Sequence, residues 1–122
     1  MAPLPTIISS KKIREPDVVF KFKKNLLPEE VYFEGADLIM EVVSPDKKSR
    51  QRDYEKKVVD YAEGGIPEYW IVDPQEKKIT VLTLEGTAYA THGVFGEGAV
   101  ATSKLLSGFS VNVTDVFQAA KA

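Results

Sequence analysis

The stretch Asp37-Leu38-Ile39-Met40-Glu41-Val42-Val43-Ser44-Pro45 and, one helix length later, Gly65-Ile66-Pro67-Glu68-Tyr69-Trp70-Ile71-Val72-Asp73-Pro74 decide the fold. From Ala36 to Val43 the residues are almost continuously apolar and broken by Glu41, the pattern of a central strand covered on both faces. Ser44-Pro45 ends that strand, and either Asp46 or Ser49 can cap the helix predicted over Ser49 to Glu63. Tyr54, Val58, Tyr61 and Ala62 give this helix an apolar stripe, and Gly64-Gly65 followed by Pro67 stops it. Glu68 to Val72 reads as the next strand. Strand, helix and strand of these lengths form a βαβ unit, with parallel strands and a right-handed crossover.

Working outward, Val18-Val19-Phe20 forms the centre of a strand expected over Asp17 to Phe22, with Pro16 at its tolerated first position. Beyond Asp73-Pro74, Lys78 to Leu84 is rich in Ile, Thr, Val and Leu, and a turn at Glu85-Gly86 pairs it with Thr87 to Phe95. The sheet is therefore mixed. Short segments at Val100 to Leu106 and Phe109 to Val111 follow, and a terminal helix is expected over Thr114 to Ala120 with Thr114 as its cap. The fold class is α/β, with residues 1–13 as an N-terminal arm and residues 14–122 as one domain.

The 122 residues are 43% hydrophobic and 28% charged, a balance that excludes a disordered chain and supports one core. No apolar run approaches the ~20 residues of a membrane helix, and Met1 to Pro5 lacks the basic and apolar regions of a leader. A cytoplasmic location and no membrane partner are the expectation. The absence of cysteine excludes disulfides and thiolate metal sites, and the single His92 excludes a His-rich zinc centre. Carboxylates, lysines and hydroxyls are left to do any chemistry.

With 16 Lys and Arg against 18 Asp and Glu, the net charge of -2 points to no nucleic-acid partner by itself. Lys47, Lys48, Arg50, Arg52, Lys56 and Lys57 nevertheless crowd one segment that holds only Asp46, Asp53 and Glu55 against them. This patch reads either as a solvated helix face threaded with ion pairs or as a nucleic-acid contact through Lys47, Lys48, Arg50 and Arg52.

Glu41 is the most informative residue, because a carboxylate in an apolar central strand is expensive unless paired or holding a metal, or unless the strand ends near Met40. Asp17 opens the strand expected beside it. Two carboxylates converging on adjacent strands form a hard-oxygen site that suits Mg²⁺ or Mn²⁺ and not zinc. On the helix, Asp53, Lys57 and Tyr61 recur every four residues and share one face. That spacing fits a surface ion pair as well as an ammonium aimed at a phosphate oxygen. No Gly-rich loop follows any strand, so a βαβ phosphate binder has no support.

Pro16-Asp17-Val18, Asp37 to Pro45, Arg52-Asp53 with Lys57 and Tyr61, and Gly65 to Pro74 together resemble the bacterial putative restriction endonuclease family, formerly a domain of unknown function, of the PD-(D/E)XK nuclease superfamily. The resemblance runs from about Arg14 to Phe117. It implies a restriction-endonuclease-like fold with a four-stranded mixed sheet core flanked by helices. It also implies Asp17 and Glu41 as metal ligands, with the Val42 carbonyl completing the shell, and Lys57 as the catalytic lysine. Asp53 and Tyr61 would orient that lysine. The superfamily's usual lysine position, two residues after the acid, is Val43 here, and Lys57 is the matching residue on the neighbouring helix. Lys56 faces about 100° away from it. Tyr69 and Trp70 read as sheet core, and His92 as a satisfied or surface histidine.

The activity implied is Mg²⁺- or Mn²⁺-dependent hydrolysis of DNA phosphodiesters. The other reading is a truncated, inactive nuclease fold serving as an interaction or DNA-binding module. Only about fifteen residues precede Asp17, so the family's N-terminal elements are expected to be shortened, with the exposed sheet face or edge covered by the arm or by a second copy in a homodimer or higher homo-oligomer.

Overall fold

The computed structural model describes residues 6–9, 12–14, 18–20, 33–34 and 37–119. Among them, β3 (Val18–Phe20), β5 (Leu38–Val42), β6 (Glu68–Asp73), β7 (Lys78–Glu85) and β8 (Ala88–Gly96) form one sheet in the order β3-β5-β6-β7-β8. β5 and β6 are parallel, with Glu41 level with Ile71, and the other neighbours are antiparallel. The sheet has one strand more than the four-stranded core that the resemblance implies, because the β7–β8 hairpin is a full pairing. Gly86, at φ 65°, opens its two-residue turn. A second small sheet joins β1 (Thr6–Ser9), β2 (Lys12–Arg14) and β4 (Phe33–Glu34), and β9 (Val100–Thr102) pairs with β10 (Ser110–Asn112).

The βαβ helix starts earlier than its apolar stripe predicts. It runs as α1 (Lys47–Gln51), a π-helical turn (Arg52–Lys56) and α2 (Lys57–Glu63). Of the two possible caps Asp46 is used, its Oδ2 accepting the Ser49 N–H at 3.0 Å. At the other end the Gly65 N–H bonds the Ala62 carbonyl and the Ile66 N–H bonds the Tyr61 carbonyl. This is a Schellman closure, which needs the positive φ of Gly65, 73°. The terminal helix α3 (Val113–Ala119) departs from expectation at its cap. Asn112 Oδ1 accepts the Asp115 N–H at 3.2 Å, while Thr114 Oγ1 accepts the Gly98 N–H at 2.8 Å and ties α3 to the loop after β8.

Side-chain alternation divides the sheet into two covered faces. On one, Ile39, Val43, Tyr69, Ile71 and Leu82 pack with Tyr61 and Ile66, and with Tyr54 and Val58 of the long helix. On the other, Leu38, Trp70, Ile79 and Val81 pack with Ala101, Val113 and Phe117. The buried Tyr69 and Trp70 are core residues of opposite faces. Glu41 lies between Ile39 and Val43 in period, and so points toward the helix that the chain lays down immediately afterward.

Candidate active site

Glu41 is 1% exposed. Burying a carboxylate there requires partners, and the helix supplies them. The Lys57 ammonium forms an ion pair and hydrogen bond with Glu41 Oε2, and lies 2.8 Å from Asp53 Oδ1. The Tyr61 hydroxyl donates to Glu41 Oε2 at 3.3 Å. Asp53 is itself buried, so among the described residues two buried carboxylates share one ammonium. Burial pushes the Lys57 pKa down, but the bonds to Asp53 and Glu41 outweigh it and hold the group above the ordinary lysine value. The pairing thus favours the charged form of Lys57. Val43 is buried on the same face of the sheet.

The π turn contributes to this geometry. The Lys57 N–H closes on the Arg52 carbonyl, five residues back. The Asp53 carbonyl accepts the Tyr69 hydroxyl at 2.9 Å. Burial, then the negative charges of Glu41 and Asp53, push that hydroxyl far above the ordinary tyrosine range, so it remains a donor. The Tyr69 ring meets the Tyr61 ring edge-on, with centroids 5.0 Å apart.

A family model described as "Uma2: Putative restriction endonuclease" matches residues 1–114. The chain belongs to the Uma2 family. No curated protein matches it. Among solved structures it is similar to a putative nuclease belonging to DUF820 from Anabaena variabilis ATCC 29413, with a TM-score of 0.75 and 21% identity over 97% of this chain and 66% of that one. The chain thus spans just under two thirds of that neighbour's length, and the likeness establishes a shared nuclease-like fold.

In this Uma2-family chain, Glu41, Asp53, Lys57 and Tyr61 meet at one point. Asp17 lies outside the described residues. Val42 follows Glu41 on the strand and is 49% exposed. Among the described residues no cluster of three or more His, Asp or Glu is placed to hold a metal. Lys47, Lys48, Arg52 and Lys56 are exposed along the helix, the last three lining a shallow groove with Gln51 and Glu55. His92 is exposed and within 3.2 Å of Thr102 Oγ1. No helix among the described residues is long and apolar enough to cross a membrane.

Arg50, the remaining member of the basic patch, faces inward. Its guanidinium grips buried Asp73 through both nitrogens, at 2.9 and 2.7 Å, and the Tyr54 hydroxyl adds a bond of 2.6 Å to the same carboxylate. This clasp fastens the helix ahead of the π turn to the end of β6. Burial alone would raise the Asp73 carboxyl. The bonds from Arg50, Tyr54 and the Glu76 N–H outweigh it and hold the pKa at about 2, below the ordinary 3.8. A carboxylate depressed in the folded state stabilises the fold above its unfolded pKa and loses that contribution as pH falls through the folded one. Roughly 2 kcal/mol of stability is therefore expected to disappear between about pH 4 and pH 2. Acid titrations of urea unfolding, followed by the fluorescence of Trp70, test this: Asp73→Asn flattens the acid limb, and an unchanged limb removes Asp73 as its source.

Glu68 was not singled out by its sequence context, yet it is fully buried and accepts four hydrogen bonds. They come from Trp70 Nε1 at 2.8 Å, Ser103 Oγ at 2.5 Å, and the Lys104 and Leu105 N–H groups at 2.9 and 3.0 Å. The available signal was a Glu two residues before a Trp in an otherwise apolar strand, since such a pair shares one face.

Proposed function

We propose that this chain is a metal-dependent endonuclease that hydrolyses phosphodiester bonds of DNA. The observation that carries the reading is the Lys57 ammonium held on buried Glu41 with Asp53 as its second partner. Val18 stands in antiparallel register with Met40, which precedes Glu41 on β5, and Asp17 precedes Val18 in sequence. This register supports the two acids acting together.

The donor chemistry fits a hard divalent cation, because carboxylate oxygens dominate and no thiolate or imidazole is near. Among the described residues two buried carboxylates, Glu41 and Asp53, face the Lys57 ammonium. Asp17, Glu41 and the Val42 carbonyl would hold Mg²⁺ or Mn²⁺. When bound, the ion supplies positive charge to the phosphoryl oxygens and makes water at the site more acidic. Lys57 remains protonated, stabilises charge on the phosphoryl oxygens and orients the attacking water. Asp53 aims the ammonium, and Tyr61 fixes the Glu41 carboxylate by its hydrogen bond. Water adds to phosphorus and gives up its proton to solvent, the bond to the leaving oxygen breaks, and that oxygen takes a proton from solvent. Lys47, Lys48 and Arg52 offer exposed cations to the DNA backbone, whereas Arg50 is committed to Asp73. The expected assembly is a homodimer or larger homo-oligomer in the cytoplasm.

The test is Mn²⁺ calorimetry with plasmid nicking on the same samples. The wild-type chain is expected to bind and nick, and Glu41→Gln to weaken binding and lower nicking at least ~10²-fold. A wild-type chain that neither binds nor nicks overturns the nuclease reading and leaves the fold as an interaction module.

A further inference from the structure

An α-helix through this segment would close the Lys57 N–H on the Asp53 carbonyl. Instead that N–H goes to Arg52, one residue further back, and the Asp53 carbonyl goes to a hydroxyl of the sheet. Helical turns of this kind are rare and occur mostly as single turns inside α-helices, and a side chain inserted into the i→i−4 ladder is one recognised cause of a break in it. The entering group here is the Tyr69 hydroxyl. Tyr69 is fully buried on β6, paired in register with Ile39 of β5, and faces the same layer as Glu41.

We infer that Tyr69 is a positioning residue, whose hydroxyl holds the helix in the π register by capturing the Asp53 carbonyl and so aims the Lys57 ammonium, held by the Asp53 carboxylate, at Glu41. The same side chain braces the other partner of Glu41, since its ring abuts Tyr61. Tyr69 thus acts on the carboxylate through two neighbours that bond to it. The functional part of this inference rests on the nuclease reading above, while its conformational part stands on the backbone bonds alone.

Tyr89 provides a matched control. Its hydroxyl donates to the Ile66 carbonyl at 2.7 Å, and its ring lies 6.2 Å from that of Tyr69 in the same core. Tyr89→Phe therefore removes a hydroxyl-to-carbonyl bond without touching the π turn. The experiment measures couplings across hydrogen bonds from the Lys57 amide nitrogen in the isotopically labelled full chain, together with Mn²⁺ affinity and Mn²⁺-dependent plasmid nicking. In the wild type the coupling is expected to the Arg52 carbonyl carbon. Tyr69→Phe should transfer it to Asp53 and lower Mn²⁺-dependent nicking roughly tenfold with Mn²⁺ binding retained, and Tyr89→Phe should change neither the coupling nor the nicking. A Tyr69→Phe chain that keeps the coupling to Arg52, or keeps wild-type nicking beside a wild type that nicks, overturns the inference. A wild-type chain that binds no Mn²⁺ defeats the nuclease reading by itself, and the coupling still decides what Tyr69 does to the helix.

Discussion

Replacing Lys57 with methionine is expected to lower plasmid nicking by ~10²–10³-fold while leaving Mn²⁺ binding at wild-type strength or above. Methionine keeps an unbranched stem and removes the charge. In the native chain the ammonium stands between Glu41 and Asp53, so it competes with a divalent cation for the same negative field. Losing it relieves that competition and removes the charge meant for the phosphate. Binding and turnover are thereby separated, which a general loss of structure would not do. The metal-free variant should also be destabilised by about 3–5 kcal/mol, the cost typical of stripping one partner from a buried ion pair. Added Mn²⁺ should restore part of this by mass action, visible as a rise in melting temperature larger than that of the wild type. Wild-type nicking by Lys57→Met would take the lysine out of the reaction.

The second large effect is structural and lies on the opposite face of the sheet. Glu68→Ala leaves the Trp70 indole, the Ser103 hydroxyl and two backbone N–H groups without their acceptor. An unsatisfied buried donor costs about 1–3 kcal/mol, and partial rehydration keeps four from adding fully. A loss of about 3–5 kcal/mol is expected, against a total of ~5–15 kcal/mol for ordinary domains. Urea unfolding should show the midpoint falling in proportion. Mn²⁺ affinity of the folded fraction should survive, because Glu41 and Lys57 face the other layer. Stability within about 1 kcal/mol of wild type would mean that the loop at 103–105 finds other acceptors.

Local pattern made most of the architecture legible. The apolar run ending at Val43, the stripe from Tyr54 to Ala62, the stop at Gly64-Gly65 and the apolar run after Pro67 each report an element through its own residues. The gathering of Glu41, Asp53, Lys57 and Tyr61 was legible through the family resemblance, since the four-residue spacing on the helix fits a surface ion pair equally well. What escaped depends on partners distant in the chain. The π turn leaves no signature between Arg52 and Lys56, since its cause is a hydroxyl on the following strand. Glu68 looks like a strand-start residue until the loop at Ser103 to Leu105 folds over it. Arg50 looks like one more surface cation until Asp73 is brought beneath it. The terminal helix was misread at its cap for a smaller reason: Thr114 and Asn112 are both good caps, and only the loop at Gly98 decides between them.

The π turn also bears on how this helix should be compared with others. Such a turn accommodates one residue more than an α-helix spanning the same two anchors, here the Arg50 clasp and the Tyr61 contact. A relative whose helix is α throughout would therefore match this one with a single-residue gap between those anchors. A gap-free comparison anchored at Arg50 would set that relative's counterpart of Lys57 against Lys56, and would record a missing lysine where only the count of residues had changed.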